Sequence, residues 1–369
     1  MPRLHEARFY EARPDGSVVC TLCPHDCHIP EGGRGACGVR YNRGGRLYTL
    51  VYDRVIAREV NPIEKKPFFH FLPGSYAYSI STVGCSLRCA YCQNWEISQW
   101  PKEHLPKHVS SGAADTSVCP RLEALQGEVP GEYVTPETIV AAALASGCQS
   151  VSYTFTEPTI FYELAYDTAV LARARGLKNN FVTNGYINPE PLREIAMVLD
   201  AANVDLKFFS EESYRRVSRA RLAPILEAIR LYHELGVWVE VTTLVVPGLN
   251  DSDAELTAIA EFICSVSPAI PWHVSRFFPA WHMLDRPVTE VATLRRAREI
   301  GLEAGLRYVY EGNIPGEGGE NTWCPKCHAL LIERYGFHVR QNRIRDGRCP
   351  DCGEAIDGVG MSGVVHAHA

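Results

Sequence analysis

The sequence predicts an α/β protein: a partial (β/α)6-type barrel over residues 76–316, with a small Cys-rich module before it (1–75) and a zinc-ribbon-like module after it (317–369). Three observations predict this. From Tyr76 onward, short β-branched or aromatic runs alternate with amphipathic stretches of helical period. Eleven of the 14 cysteines fall into three groups, one in each segment. With 369 residues, 46% of them hydrophobic, the chain can bury one large α/β core and still carry small appendages.

Residues 1–75 are rich in Gly, Pro and Cys, with a strand-like patch at Leu47–Tyr52, and read as a module stapled by metal. Strands follow near Tyr78–Val83, Val151–Phe155, Asn180–Thr183, Asn203–Phe208, Val237–Val246, Trp272–Phe277 and Arg307–Tyr310. Between them lie helical stretches at Pro136–Ser146, Ile160–Arg175, Pro189–Leu199, Pro224–Leu235, Asp253–Val266 and Val288–Ala304. Such alternation gives parallel strands joined by helical crossovers of one hand. In that architecture the working residues sit at the C-terminal ends of the strands. The segment Pro101–Gly131 is polar and aperiodic, and reads as a surface insertion or, alternatively, a substrate lid. The tail His366–Ala369 reads as disordered.

A formal net charge of -6 gives no broad positive field, so neither nucleic acid nor an anionic membrane is an expected partner. The N-terminus has no apolar leader region, and no run of about 18 apolar residues occurs anywhere. The expected location is the cytoplasm, where reduced thiols are free to bind metal. Cys119, Cys148 and Cys264 stand outside the groups and read as small buried hydrophobes or inert thiols.

The central group reads Thr82-Val83-Gly84-Cys85-Ser86-Leu87-Arg88-Cys89-Ala90-Tyr91-Cys92-Gln93-Asn94, directly after a strand. Three cysteines at spacings of four and three can wrap one cubane [4Fe–4S] cluster and leave its fourth iron open to a small molecule. The bland alternatives are a chance Cys-rich turn or a zinc knuckle lacking a fourth ligand. In the N-terminal group, Cys20, Cys23, Cys27 and Cys37 offer four thiolates in a glycine-rich segment. A structural metal suits it, with zinc the plain choice and an accessory iron–sulfur cluster the alternative. The C-terminal group is a pair of Cys-x2-Cys knuckles, Cys324/Cys327 and Cys349/Cys352, around a hairpin at Ala329–Val339, which is the pattern of a zinc ribbon. His328, where a glycine is usual, is a competing ligand. Residues 321–369 hold six Lys/Arg against five Asp/Glu, so the ribbon has no nucleic-acid footprint.

The Cys-x3-Cys-x2-Cys loop, with Tyr91 before its last cysteine, resembles the signature of the radical S-adenosylmethionine (SAM) superfamily. Together with YTFTEPTIFYE, FVTNGYI, NVDLKFF, VTTLVVPGLNDS, PWHVSRFFP and YVYEGNIPG, it is similar to the radical SAM protein of the AmmeMemoRadiSam system, a relative of the pyruvate formate-lyase activating enzymes. This resemblance runs from about Cys20 to Gly360. It implies a radical SAM barrel, SAM chelated to the open iron, reductive cleavage to a 5′-deoxyadenosyl radical, and hydrogen abstraction from substrate. It also implies a low-potential donor of flavodoxin or ferredoxin type, and protein partners from the same system.

By the same resemblance Glu157 stands where the superfamily's Gly-Gly-Glu motif meets the methionyl amino group, although the double glycine is absent and Phe155 and Thr156 stand in its place. Its bland reading is a cap of the helix entered at Pro158. Asn184, Asp205, Lys207 and His273 are further SAM contacts by position, each polar after an apolar run. Asp205 and Lys207 share one face of a strand, and either bind SAM or pair with each other. His273 alone would read as a hydrogen-bonded core histidine. Three functions follow: a radical SAM enzyme of that system, a glycyl-radical-enzyme activase, or a non-catalytic scaffold that binds SAM and metal.

Overall fold

The computed structural model describes residues 5–106 and 122–362. Residues 107–121 of the insertion, Cys119 among them, and the tail lie outside the described residues. The main sheet has eight strands whose spatial order follows the chain. They are β1 (Ala57–Pro62), β2 (Tyr76–Ser81), β3 (Ser150–Tyr153), β4 (Lys178–Thr183), β5 (Ala201–Asp205), β6 (Trp238–Val245), β7 (Trp272–Arg276) and β8 (Val309–Gly312). Strands β2 to β8 are parallel, and β1 pairs antiparallel with β2. Strand after strand in sequential order, with a helix across each step, is the winding of a partial barrel.

The crossover helices are α1 (Pro136–Ala145), α2 (Tyr162–Ala174), α3 (Pro189–Ala196), α4 (Leu222–Glu234), α5 (Asp253–Val266) and α6 (Val291–Glu303). Local chemistry starts them. Thr135 caps α1 with Pro136 in its first turn, and Ser252 caps α5 by accepting from the Glu255 amide. Their apolar faces and the buried strands form one large core.

Each expected strand and helix of the barrel is present, with shifted ends. Strand β5 stops at Asp205, because the amide of Lys207 turns to the Tyr214 hydroxyl at 2.9 Å instead of continuing the ladder. The helix expected from Ile160 opens as a 3-10 turn over Pro158–Phe161 and becomes α-helical at Tyr162. The sheet also starts before the expected boundary at residue 76, since β1 pairs along its whole length with β2. The segment 101–131 is less superficial than its polarity predicts: Pro101, Leu105, Leu125 and Val129 are buried. Arg34 holds its base by donating to the carbonyls of Pro101 (3.0 Å) and Leu105 (2.6 Å).

The N-terminal residues form two three-stranded sheets that share the barrel's core. Their firmest link is buried: Arg40 donates to both carboxylate oxygens of Glu163 on α2, at 2.7 and 2.9 Å. At the other end, Thr322–Trp323, Leu330–Tyr335 and His338–Asn342 make an antiparallel sheet with its own small core, containing Leu331, Ile332, Cys324 and Cys349. Phe69 and Tyr310 of the barrel complete that core. Arg334, fully buried, fastens it by donating to the Phe69 carbonyl (2.9 Å) and the Thr322 hydroxyl (2.8 Å). Among the described residues no helix is long and apolar enough to cross a membrane.

Candidate active site and metal centres

The loop carrying Cys85, Cys89 and Cys92 leaves the C-terminal end of β2 and is held by backbone on three sides. Amides of Arg88 and Ala90 donate to the carbonyls of Ser218 and Val217, each at 3.0 Å, in the π-turn Tyr214–Ser218. The Gly84 amide donates to the Ile97 carbonyl at 3.0 Å. Gly84 itself has φ +104°, and a Cβ there would lie 2.9 Å from a Val39 methyl and 3.2 Å from the Cys37 carbonyl. Only glycine fits. Buried Tyr91 packs edge-on against Phe208 and Phe277.

The sulfurs are individually attended. The Leu87 amide reaches Cys85 Sγ at 3.4 Å, the Ser218 hydroxyl lies 3.4 Å from Cys89 Sγ, and the Ser98 hydroxyl lies 3.3 Å from Cys92 Sγ. Burial pushes the Cys85 and Cys92 thiols up. Thiolates in so buried a place require a positive partner, which an iron–sulfur cluster provides. The residues therefore fit a cluster, with Cys85, Cys89 and Cys92 as its ligands.

All three cysteines line one cavity of about 610 Å3. Glu157, Asn184, Asp205, Lys207 and His273 line it too. Every SAM contact expected from the sequence is thus gathered with the cysteine loop.

Glu157 is buried just beyond β3. Its Oε1 accepts from the Thr159 amide (3.0 Å), the Thr159 hydroxyl (2.7 Å) and the Thr183 hydroxyl (2.7 Å), and its Oε2 accepts from the Asn184 amide (2.8 Å). It does cap the turn at Pro158, as the bland reading holds, but from within the cavity wall rather than from the surface. Burial pushes its carboxyl up, against the pull of these hydrogen bonds. Asn184, just after β4, lies with its amide nitrogen 3.2 Å from the Ser86 hydroxyl and 3.7 Å from Cys85 Sγ.

Lys207 Nζ donates to Asp205 Oδ2 at 2.7 Å, so the expected pair exists and faces the cavity. Although burial works against its charge, Asp205 and Cys89 hold the Lys207 ammonium well above the usual lysine range. His273 is placed differently from its expectation at a strand end: it is the second residue of β7. Its Nε2 meets Glu240 Oε2 at 2.7 Å, with both side chains almost wholly buried. Burial opposes the charge on Glu240, yet His273, His70 and the Phe69 amide together keep its carboxyl below the usual range. His273 is at once an anchored core histidine and a cavity wall.

Several cavity residues escaped the sequence reading, Lys66, Phe155 and Phe337 among them. Lys66 is 3% exposed, and its ammonium lies over the Phe155 ring at 4.0 Å. Burial, helped by the like charge of Lys65, brings it down to about 7. In the charged run Glu64-Lys65-Lys66 it looks like a solvated residue. Phe155 has φ +62°, a left-handed conformation that is uncommon for a bulky side chain. The one signal of it is that Phe155 stands where the superfamily's motif has a glycine, the residue that adopts this conformation freely. Phe337, in the turn between the last two ribbon strands, lines the cavity while 44% exposed, and so stands at its mouth.

In the ribbon, Cys324 and Cys352 sulfurs lie 3.6 Å apart, and those of Cys327 and Cys349 lie 3.7 Å apart. A tetrahedral zinc with bonds of about 2.3 Å requires edges of about 3.8 Å. All four sulfurs lie within 4.8 Å of one another. His328 is not in this group. Its φ of +59° is the left-handed corner at which a glycine is usual.

An open, all-but-parallel barrel with a buried three-cysteine loop at its C-terminal rim defines a class of cofactor-dependent enzyme. Residues 79–262 match the family model of the radical SAM superfamily. The chain is also 43% identical to the uncharacterized protein MJ0808 of Methanocaldococcus jannaschii, over 96% of this chain and 99% of that one. It belongs to the radical SAM superfamily, whose members are enzymes and whose shared domain implies a [4Fe–4S] cluster, SAM and a reductant. Solved structures similar to it include a domain of the pyruvate-formate lyase-activating enzyme from Bacteroides vulgatus, with TM-score 0.40, 17% identity, and 44% of this chain and 99% of that chain covered. SuiB of Streptococcus suis has TM-score 0.45 and 14% identity, with 63% and 48% covered. QueE of Escherichia coli has TM-score 0.41 and 13% identity, with 70% and 92% covered.

Proposed function

We propose that this chain binds a [4Fe–4S] cluster through Cys85, Cys89 and Cys92, binds SAM across Glu157, Asn184, Asp205, Lys207 and His273, and abstracts hydrogen from a substrate held in the same cavity, within the AmmeMemoRadiSam system. The single observation that supports the reading is the convergence of these eight residues on one cavity of about 610 Å3. When bound, the reduced cluster supplies the electron that cleaves SAM to methionine and a 5′-deoxyadenosyl radical.

The chain's own residues do the rest. Glu157 Oε2 accepts from Asn184 and retains a lone pair, which suits the methionyl ammonium. Lys207, charged and fixed by Asp205, suits the methionyl carboxylate, and Asp205, with a 37% exposed side chain, suits ribose hydroxyls. His273 cannot swing, because Glu240 holds it, and so sets one wall for the nucleoside. Tyr91 and its aromatic neighbours exclude water from behind the sulfurs. The same reading places zinc in the ribbon, a flavodoxin- or ferredoxin-type donor outside, the other two proteins of the system as partners, and the protein in the cytoplasm.

The test is anaerobic reduction with dithionite in the presence of SAM, with chromatographic detection of 5′-deoxyadenosine. Deuterium transfer into that product from candidate partner proteins or metabolites then names the hydrogen donor. A cluster seen by EPR with no 5′-deoxyadenosine formed would sink the reading.

A further inference from the structure

Four cysteines outside the cavity remain to be explained. Cys20 ends the strand Val18–Cys20, Cys23 and Cys27 lie in the loop after it, and Cys37 lies in the turn before the strand Arg40–Arg43. Cys20, Cys23 and Cys37 are buried and Cys27 is half-buried. The backbone brings them together: the Cys20 amide donates to the Cys27 carbonyl at 2.9 Å, and the amide of Ala36, next to Cys37, donates to Cys27 Sγ at 3.3 Å. Yet, among the described residues, the cysteines whose sulfurs all lie within 4.8 Å of one another are the four of the ribbon, and no three of this N-terminal set meet that spacing.

The ribbon serves as an internal standard. There the sulfurs take the edges a single tetrahedral ion demands, whereas in any three of the N-terminal set at least one pair of sulfurs is more than 4.8 Å apart. A cubane puts iron and sulfide between its thiolates and holds them farther apart than one ion does. We propose that Cys20, Cys23, Cys27 and Cys37 ligate a second [4Fe–4S] cluster, with every iron thiolate-bound, rather than zinc.

The surroundings agree. The Ala36 amide donates to Cys27 Sγ at 3.3 Å, and the amides of Leu22 and His25 serve Cys20 and Cys23. Such N–H groups stabilise and tune cluster sulfurs. Arg40 is already committed to Glu163, but Arg34, which donates to the Gly38 carbonyl at 2.7 Å, and Lys102, whose stem packs on Gly38, bring positive charge beside Cys37 to offset the added negative charge of a reduced cluster. With no open iron, such a centre carries electrons: it takes one from a low-potential one-electron donor and passes one on. Its position suits that task. Gly84, next to Cys85, packs on the Cys37 carbonyl, and His25 Nε2 lies 2.8 Å from the Ser86 carbonyl oxygen. Lys102 packs its stem on Gly38 and donates to the Leu87 carbonyl at 2.7 Å, so it bridges the Cys37 turn and the Cys85 loop.

Metal and sulfide analysis of the full chain, purified anaerobically, tests this. We expect about eight iron, about eight sulfide and about one zinc per chain. About four iron with about two zinc would overturn the proposal, whatever the fate of SAM cleavage. The triple variant Cys85→Ser/Cys89→Ser/Cys92→Ser should keep about four iron, and its reduced EPR signal should not change when SAM is added. Loss of all iron from a folded triple variant, or a signal that SAM shifts, would also overturn it. Should that variant fail to fold, the metal count of the native chain still decides.

Discussion

At Cys324, Cys327, Cys349 and Cys352 the sulfurs close on one another at 3.6 and 3.7 Å, whereas Cys85, Cys89 and Cys92 turn theirs to a cavity shared with residues from several strands. Two knuckles on either side of a hairpin bring four donors to one point and leave no position open. A single loop at a strand end brings three and leaves the fourth position to whatever fills the cavity. On the proposed reading, ligand number and backbone support, rather than cysteine content, separate a metal that holds structure from one that does chemistry.

The sharpest way to break this contrast is a pair of variants. Cys89→Ala is expected to abolish the SAM-responsive EPR signal and 5′-deoxyadenosine formation. Cys324→Ala is expected to lose zinc and lower the melting temperature, with SAM cleavage retained. Loss of cleavage in a folded Cys324→Ala chain would erase the distinction.

Removing the ribbon's anchor comes next. Arg334→Met leaves Glu64 buried without its cation, 3.6 Å away in the native protein, and breaks three hydrogen bonds to Glu320, Thr322 and Phe69. A loss of about 3–5 kcal/mol is expected by denaturant titration. A loss under about 1 kcal/mol would show that the ribbon docks through its apolar core instead.

Lys66 gives a pH signature confined to the open cavity. Its folded-state value of about 7 lies below the ordinary 10.5, so the unfolded chain binds the extra proton between these limits. The penalty for burying the ammonium is complete below about pH 7 and fades as pH rises toward the unfolded value. Lys66→Met should therefore stabilise the fold more at pH 6 than at pH 10. Equal gains at both pH values would show that the ammonium is not the strained group.

The smallest expected effect is at Gly84. Gly84→Ala forces a Cβ against Val39 and the Cys37 carbonyl at φ +104°, for about 1–3 kcal/mol. The measured loss should fall on the N-terminal module and the Cys85 loop together, seen as joint loss of amide protection. Protection lost on one side alone would mean that the two segments are not packed as a unit.

Much of this was legible in the sequence for a physical reason. Parallel strands buried on both faces write themselves as apolar runs, so all seven parallel strands could be placed, with ends misjudged where a side chain such as Tyr214 diverts the backbone. Strand β1, reading Ala-Arg-Glu-Val-Asn-Pro, has an exposed edge and carries no such run. The cysteine spacings announced their groups, and the polar residues after strands reached the cavity. Glu240 was missed although a lone carboxylate inside an apolar strand was a usable signal. Lys66 and Phe337 were not readable, because their positions come from long-range docking and leave no local period.

Phe337 carries one more consequence. It stands at the cavity mouth on a hairpin whose shape depends on four thiolates and whose seat depends on Arg334. The width of the doorway is thereby tied to the state of the ribbon. A change at the four thiolates is therefore felt at the entrance to the cavity and, through Phe69 and Tyr310, which belong to the ribbon's core and pack on His273, along its wall as well.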